Sequence, residues 1–164
     1  MPGRPSARRL GRLVASVDFE RVLGTRSRAA TAHFTAHHLD APPSDRGTSS
    51  GRALTPKLST VEEPASADPV EDFSPAAPPV PVWVGAVVPK RHARRAVTRS
   101  LIKRQIYAAT ERHRDRLAPG LWIVRLRAPF DPARFASAAS SALRVAARSE
   151  LDALLGAAST RSER

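Results

Sequence analysis

The sequence predicts an α+β fold, a small central mixed sheet with flanking helices, and three observations carry that prediction. An apolar run over Val80–Val88 leads directly into a strongly basic helical stretch that begins near Ala96. A second apolar run, Leu121–Ala128, follows that helix. Helical spacing of apolar residues recurs on either side of this unit, after Ser16 and after Asp131.

Composition narrows the function before any motif is sought. The chain has 164 residues, usually one domain, and no cysteine, which excludes disulfides, thiolate metal sites and cysteine nucleophiles. No apolar run reaches the ~18 residues of a membrane span. The net charge of +12, from 27 Lys and Arg, favours a polyanionic partner, nucleic acid before a membrane surface.

In chain order, residues 1–15 hold Arg4, Arg8, Arg9 and Arg12 without an acid and read as a flexible basic arm. Arg residues interrupt its apolar pairs, so it lacks the apolar core of a secretory signal. A short helix over Ser16–Gly24 follows, with Ser16 as N-cap, Asp18 in the first turn where the helix dipole favours an acid, and Phe19 and Leu23 in the core. After a turn at Thr25–Arg28, Thr31–Leu39 reads as a strand. Its histidines do not read as a metal site. Adjacent His37 and His38 point to opposite faces of a strand, and no carboxylate or cysteine completes a ligand set.

The stretch 40–79 is different material. It holds eight of the 15 prolines and seven acids against three bases. Such a composition buries too little apolar surface to offset the entropy of ordering, so it reads as a disordered insertion in a single domain spanning 16–156. Val80–Val88, almost continuously apolar, suits a central strand buried on both faces. Pro119-Gly120 ends the basic helix before the strand at 121–128, where Trp122, Val124 and Leu126 share one face and Arg125 and Arg127 the other. Asp131-Pro132 reads as an N-cap with proline at the first helical position. The last helix is expected to run from there to Gly156, leaving 157–164 as a frayed tail.

The charge is concentrated on the central helix and the residues before it. Between Pro89 and Arg116 stand ten Lys or Arg against two acids, Glu111 and Asp115. Steps of roughly 100° per residue from Ala96 put Val97, Leu101, Ile102, Gln105, Ile106, Ala108 and Ala109 on one half of the cylinder. Arg99, Ser100, Lys103, Arg104 and Tyr107 occupy the other. An ordinary solvated helix mixes signs for i,i+4 pairing; this one has no acid before Glu111.

No phosphate-cradling glycine motif is present. The acids outside the insertion do not form the converging carboxylate set that a metal-dependent nuclease needs. No catalytic residue and no metal ligand is therefore assigned to the chain.

The segment Lys90-Arg-His-Ala-Arg-Arg-Ala-Val-Thr-Arg-Ser-Leu-Ile-Lys-Arg104 resembles the signature of the bacterial ribonuclease P protein component, approximately K-K-x-x-x-x-A-x-x-R-N-R-x-K-R. Lys90, Arg91, Ala96, Arg99, Ile102, Lys103 and Arg104 match in register. Ser100 and Leu101 stand where the family has Asn and Arg, and Tyr107 and Ala108 where an Arg-Glu pair is usual. The first helix, the strands and the order of elements also fit.

The resemblance implies a ribosomal-protein-S5-like α+β fold whose β-α-β unit has a left-handed crossover. It implies an RNA-binding domain that partners the catalytic RNA subunit of ribonuclease P in the cytoplasm. There it assists RNA-catalysed, Mg2+-dependent endonucleolytic removal of the 5′ leader from precursor tRNA, with the magnesium held mainly by RNA. By position, Lys90, Arg91, Arg94, Arg95, Arg99, Ser100, Lys103 and Arg104 would contact RNA. Phe19, Leu23, Phe34 and His37 would line the leader cleft. No membrane and no stable protein partner is expected. Two other readings of the basic helix are a sequence-specific DNA-binding regulator and a ribosome-associated RNA-binding protein. A strand, not a second helix, precedes the basic segment, which disfavours a helix-turn-helix.

Overall fold

The computed structural model describes residues 10–44, 81–137 and 140–160. Beyond Ser44 the insertion expected over 40–79 lies outside the described residues, as do the chain ends up to residue 9 and from residue 161. The elements run β1 (Leu10–Arg12), α1 (Ser16–Leu23), β2 (Ser27–Ala30), β3 (Phe34–Leu39), β4 (Val82–Val87), α2 (Ala96–His113), β5 (Gly120–Leu126) and α3 (Ser141–Thr160).

The five strands form one mixed sheet in the order β1-β4-β5-β3-β2. β1 and β5 run parallel to β4, while β3 is antiparallel to β5 and to β2. β5 is the centre, and alternation along it divides the interior in two. Trp122, Val124 and Leu126 join Phe34, Ala36, Val82 and Val84 in the larger core, beneath Ile102 and Ile106 of α2 and Leu151 and Leu154 of α3. Leu121 and Ile123 face the other way, into a smaller cluster with Leu13 and Val22, against which Phe19, Leu23, Leu39, Trp83 and Val87 pack. One side of the sheet therefore carries α1, and the other carries α2 and α3.

Two tight approaches fix this arrangement. Gly85 of β4 lies under the Phe19 ring, where a Cβ would come 2.6 Å from Cε1. Gly120, at φ 116°, enters β5 where a Cβ would stand 2.5 Å from the Leu39 carbonyl oxygen. Only glycine adopts that backbone without strain.

Several boundaries differ from expectation. The arm expected over 1–15 contributes β1 at its end. Leu10, Gly11 and Arg12 pair with Val82, Trp83 and Val84, and Leu13 is buried. The turn expected at Thr25–Arg28 is confined to its first half, because Ser27 and Arg28 already belong to β2. The cap of α1 is Ala15, without a side-chain hydrogen bond, and Ser16 is the first helical residue. Asp131-Pro132 makes one isolated turn, in which Asp131 Oδ1 accepts from the Ala133 N–H at 2.9 Å. α3 begins later, where Ser140 Oγ accepts from the Leu143 N–H at 3.1 Å. Nor does α3 stop at Gly156: it continues through buried Ala158 and Ser159, so 157–160 is packed helix and not a frayed tail. On α2, Val97 and Ala108 of the expected apolar half are exposed, and the buried stripe is Leu101, Ile102, Ile106, Ala109 and Thr110. The core touches a narrower arc than half the cylinder.

Candidate nucleic-acid interface

β4 ends at Val87 and the chain turns through Pro89–Arg95 into α2, so the most basic stretch of the chain is carried between the sheet and a helix start. The turn is held by backbone bonds from the His92 and Ala93 N–H groups to the Pro89 carbonyl, at 3.0 and 3.2 Å. Arg99 closes it from the helix: its Nη1 donates to the Ala93 and Arg94 carbonyls at 3.0 and 2.7 Å. Arg99 is thus an internal brace for the segment that presents Arg94 and Arg95.

Lys90, Arg91, Arg94, Arg95, Ser100, Lys103 and Arg104 are all exposed. Among the described residues, none of these cations lies within salt-bridge distance of a carboxylate, and the first turn of α2 contains no acid. The far end of the helix is the reverse. Arg112 and His113 meet Asp152 at 2.7 and 3.2 Å, and Arg114 pairs with Glu111 and Asp115. The unbalanced charge therefore gathers at the N-terminus of α2, where unsatisfied N–H groups and the helix dipole add further positive potential. This arrangement is self-repelling unless an anion occupies it.

His92 belongs to the same surface. Partial burial, then the neighbouring Arg91 and Arg125 cations, holds its imidazolium below the usual histidine range. Arg91 Nε donates to His92 Nε2 at 3.1 Å, which leaves Nδ1 as the protonated nitrogen. The Arg12 guanidinium of β1 lies 4.4 Å from the ring centroid of Tyr107, which packs half-buried against the larger core.

The residues expected to line a cleft separate. Phe19, Leu23 and His37 share the α1 side of the sheet and are half-buried there, with His37 Nδ1 3.0 Å from the Thr25 carbonyl oxygen. Phe34 does not join them. It is fully buried on the opposite side, in the α2–α3 core against Phe130, so it cannot line an open cleft. Three residues apart on one strand, Phe34 and His37 must point to opposite faces. Arg125 takes a place that sequence reading left open. Paired with Thr35 and Val87, it extends the α1 face towards Arg91 and His92. Its signal was its position opposite Trp122 and Val124 in an otherwise apolar strand.

Asp18 ties the base of this face. Buried on α1, it accepts from the Ser44 N–H at 3.0 Å, the Ser44 hydroxyl at 2.7 Å and Arg21 Nη1 at 3.1 Å. Burial opposes its ionisation most strongly, but these donors together outweigh it and hold the carboxyl below its usual range. Glu150 plays the same part on the other side. It accepts from the His33 N–H at 2.6 Å, with His33 Nδ1 2.7 Å from its second oxygen. Among the described residues no group of three or more His, Asp or Glu is placed to hold a metal ion.

A family model for ribonuclease P matches residues 8–150. The chain belongs to the ribonuclease P protein family. Family membership carries the role of protein subunit in ribonuclease P, the endoribonuclease that processes the 5′ end of tRNA, and with it a partnership with ribonuclease P RNA and a tRNA substrate. The fold agrees. A solved structure of the Staphylococcus aureus ribonuclease P protein is 17% identical, covering 88% of this chain and 92% of its own, at a TM-score of 0.50. A second structure of the Staphylococcus aureus protein is 18% identical over 93% of this chain and 90% of its own, at 0.49. No curated protein sequence matches the chain. Among the described residues no helix is long and apolar enough to cross a membrane.

Proposed function

We propose that the surface from Lys90 to Arg104 binds the RNA subunit of ribonuclease P, while the α1 side of the sheet receives the single-stranded 5′ leader of precursor tRNA. One observation carries this reading: the exposed cations at the start of α2 have no carboxylate partner among the described residues, whereas those at its end do. Lys90, Arg91, Arg94, Arg95, Lys103 and Arg104 meet phosphates, Ser100 adds a hydroxyl donor, and Arg99 holds the segment in shape. On the α1 side, Phe19 and Leu23 offer an apolar surface on which bases of any sequence stack, with His37 and Arg125 at its edge. Magnesium is assigned to the RNA subunit and substrate, where the cleavage chemistry is placed. The site of action is cytoplasmic, and no stable protein partner is required.

The test is cleavage of a precursor tRNA by the RNA subunit at low magnesium, with and without the protein. Acceleration at the mature 5′ end is expected. The double substitution Arg94→Ala/Arg104→Ala is expected to flatten the dependence of log K on log salt by about 1.5, since each lost phosphate contact removes ~0.7 to 0.9. An unchanged slope, or no acceleration by folded protein, overturns the proposal.

A further inference from the structure

A cavity of about 500 Å3 opens between the basic segment before α2 and the segment that follows β5. Its size is that of a small-ligand site, and its lining is of two kinds. Arg91, His92, Arg94 and Arg95 stand along one wall, facing the rings of Phe130 and Phe135. We infer that this cavity binds a single unpaired nucleotide of the RNA subunit, its base against Phe135 and its phosphate on the arginines. The inference rests on the RNA-binding role proposed above and names a particular contact within it.

The aromatic wall is a set of packed rings. Phe130 stacks on His33, with centroids 4.1 Å apart and planes 11° from parallel, and it takes Phe135 edge-on at 5.6 Å and 86°. Phe130 is 9% exposed and is consumed by these contacts; half-buried Phe135 carries the Arg134 guanidinium 5.9 Å from its ring centroid and offers its other face to a ligand. Ile102 and Leu143 close the interior end. A free phosphate would leave this apolar end unused. An uncharged apolar ligand would leave the guanidinium groups unanswered. A nucleotide answers both, and a base-paired one cannot enter, because its base is stacked and its edge occupied; sequence-tolerant reading of RNA relies on splayed bases of this kind. His92 adds a polar contact for the base edge, because its Nε2 accepts from Arg91 and its Nδ1–H remains free to donate.

The side of the sheet selects the RNA. The apolar end of the cavity, Ile102, Phe130, Phe135 and Leu143, belongs to the α2–α3 core, whereas Phe19, Leu23 and His37 lie on the α1 side. The leader is therefore not its occupant.

The experiment uses the full chain and the RNA subunit without substrate. Phe135→Leu keeps the apolar packing and removes the aromatic face; Phe135→Tyr keeps both. With melting temperature unchanged, Phe135→Leu is expected to weaken RNA-subunit binding about tenfold, the loss typical of one stacked base, with the salt slope unaltered. Phe135→Tyr is expected to bind as the parent does. In parallel, AMP added alone is expected to shift the NMR signals of the Phe135 ring and His92, whereas ribose 5-phosphate leaves the Phe135 ring unmoved. Should Phe135→Leu bind normally while Arg94→Ala/Arg104→Ala weakens binding, the cavity assignment falls and the RNA surface stands. If neither substitution matters, both fall. A loss confined to precursor tRNA affinity in the assembled holoenzyme makes the leader the occupant and overturns the assignment.

Discussion

Asp18→Ala tests how the α1 face is held together. The carboxylate is 2% exposed and receives two donors from Ser44 and one from Arg21. Hydrogen bonds to a charged group contribute about 1.5 to 3 kcal/mol, and the Ser44 bonds at the protein surface belong at the low end. The Arg21 side chain is 38% exposed, so solvent screening holds that ion pair below ~1 kcal/mol. The expected loss is about 3 to 4 kcal/mol, or roughly 15 °C in melting temperature for a domain of this size. The pH dependence carries a sign. Because the folded carboxyl is held below its usual range, its stabilisation is fully present above the unfolded value of about 3.9 and is lost as pH falls through the folded value. Thermal melts of the two proteins should therefore differ most near neutrality and converge below about pH 4. Equal melting temperatures at pH 7, or a gap that persists undiminished into acid, would refute the reasoning.

Three other substitutions or titrations probe separate parts of the molecule. Gly85→Ala places a methyl 2.6 Å from Phe19 Cε1 and should swing that ring outward. A stability loss of about 1 to 3 kcal/mol is expected, with weaker leader affinity and unchanged affinity for the RNA subunit; intact leader binding counts against Phe19 as a stacking surface. Gly120→Ala meets both an unfavourable φ of 116° and the Leu39 carbonyl, and urea titration should show one of the larger losses of any single substitution, above ~2 kcal/mol. His38 should remain neutral below the usual histidine range, because burial first and the Arg28 cation next disfavour its charged form, although the Pro119 carbonyl, 2.9 Å from Nε2, opposes them. NMR titration that finds His38 charging at or above about 6.5 contradicts the buried geometry.

The elements legible in the sequence are those whose own residues supply the driving force. β4, α2 and β5 are long, apolar or periodic, and α1 announces itself by Phe19, Val22 and Leu23. β1 and β2 carry no such signal. Leu-Gly-Arg has three residues and becomes a strand only because β4 offers an unpaired edge. Ser-Arg-Ala-Ala has weak strand preference and is held by β3 and by Arg28, whose Nε reaches the Ala158 carbonyl at 3.1 Å. Asp131-Pro132 satisfies cap chemistry locally and so mimics the start of α3, while the packed helix is decided by Leu143, Ala147, Leu151 and Leu154 further on. At the interface, the basic surface was readable from charge and spacing alone. The division of the cleft was also readable, since strand alternation separates Phe34 from His37. The cavity beside Phe135 was not, because residues about 40 apart in sequence form it.

The position of β5 governs when this protein acquires its shape during synthesis. The middle strand of the sheet is the second-last element of the chain, and the first strand binds a neighbour some 70 residues downstream. Emerging from the ribosome, the N-terminal portion finds neither the partner of β1 nor the apolar bed of α1, which packs on Ile123 and Leu121. Stable structure must wait until Leu126 is free, and pairing across such separations is slow. By then the whole arginine-rich stretch is outside and unfolded. An RNA partner present at that moment would meet a flexible polycation before a folded surface, so the order in which this subunit folds and associates is set by its topology.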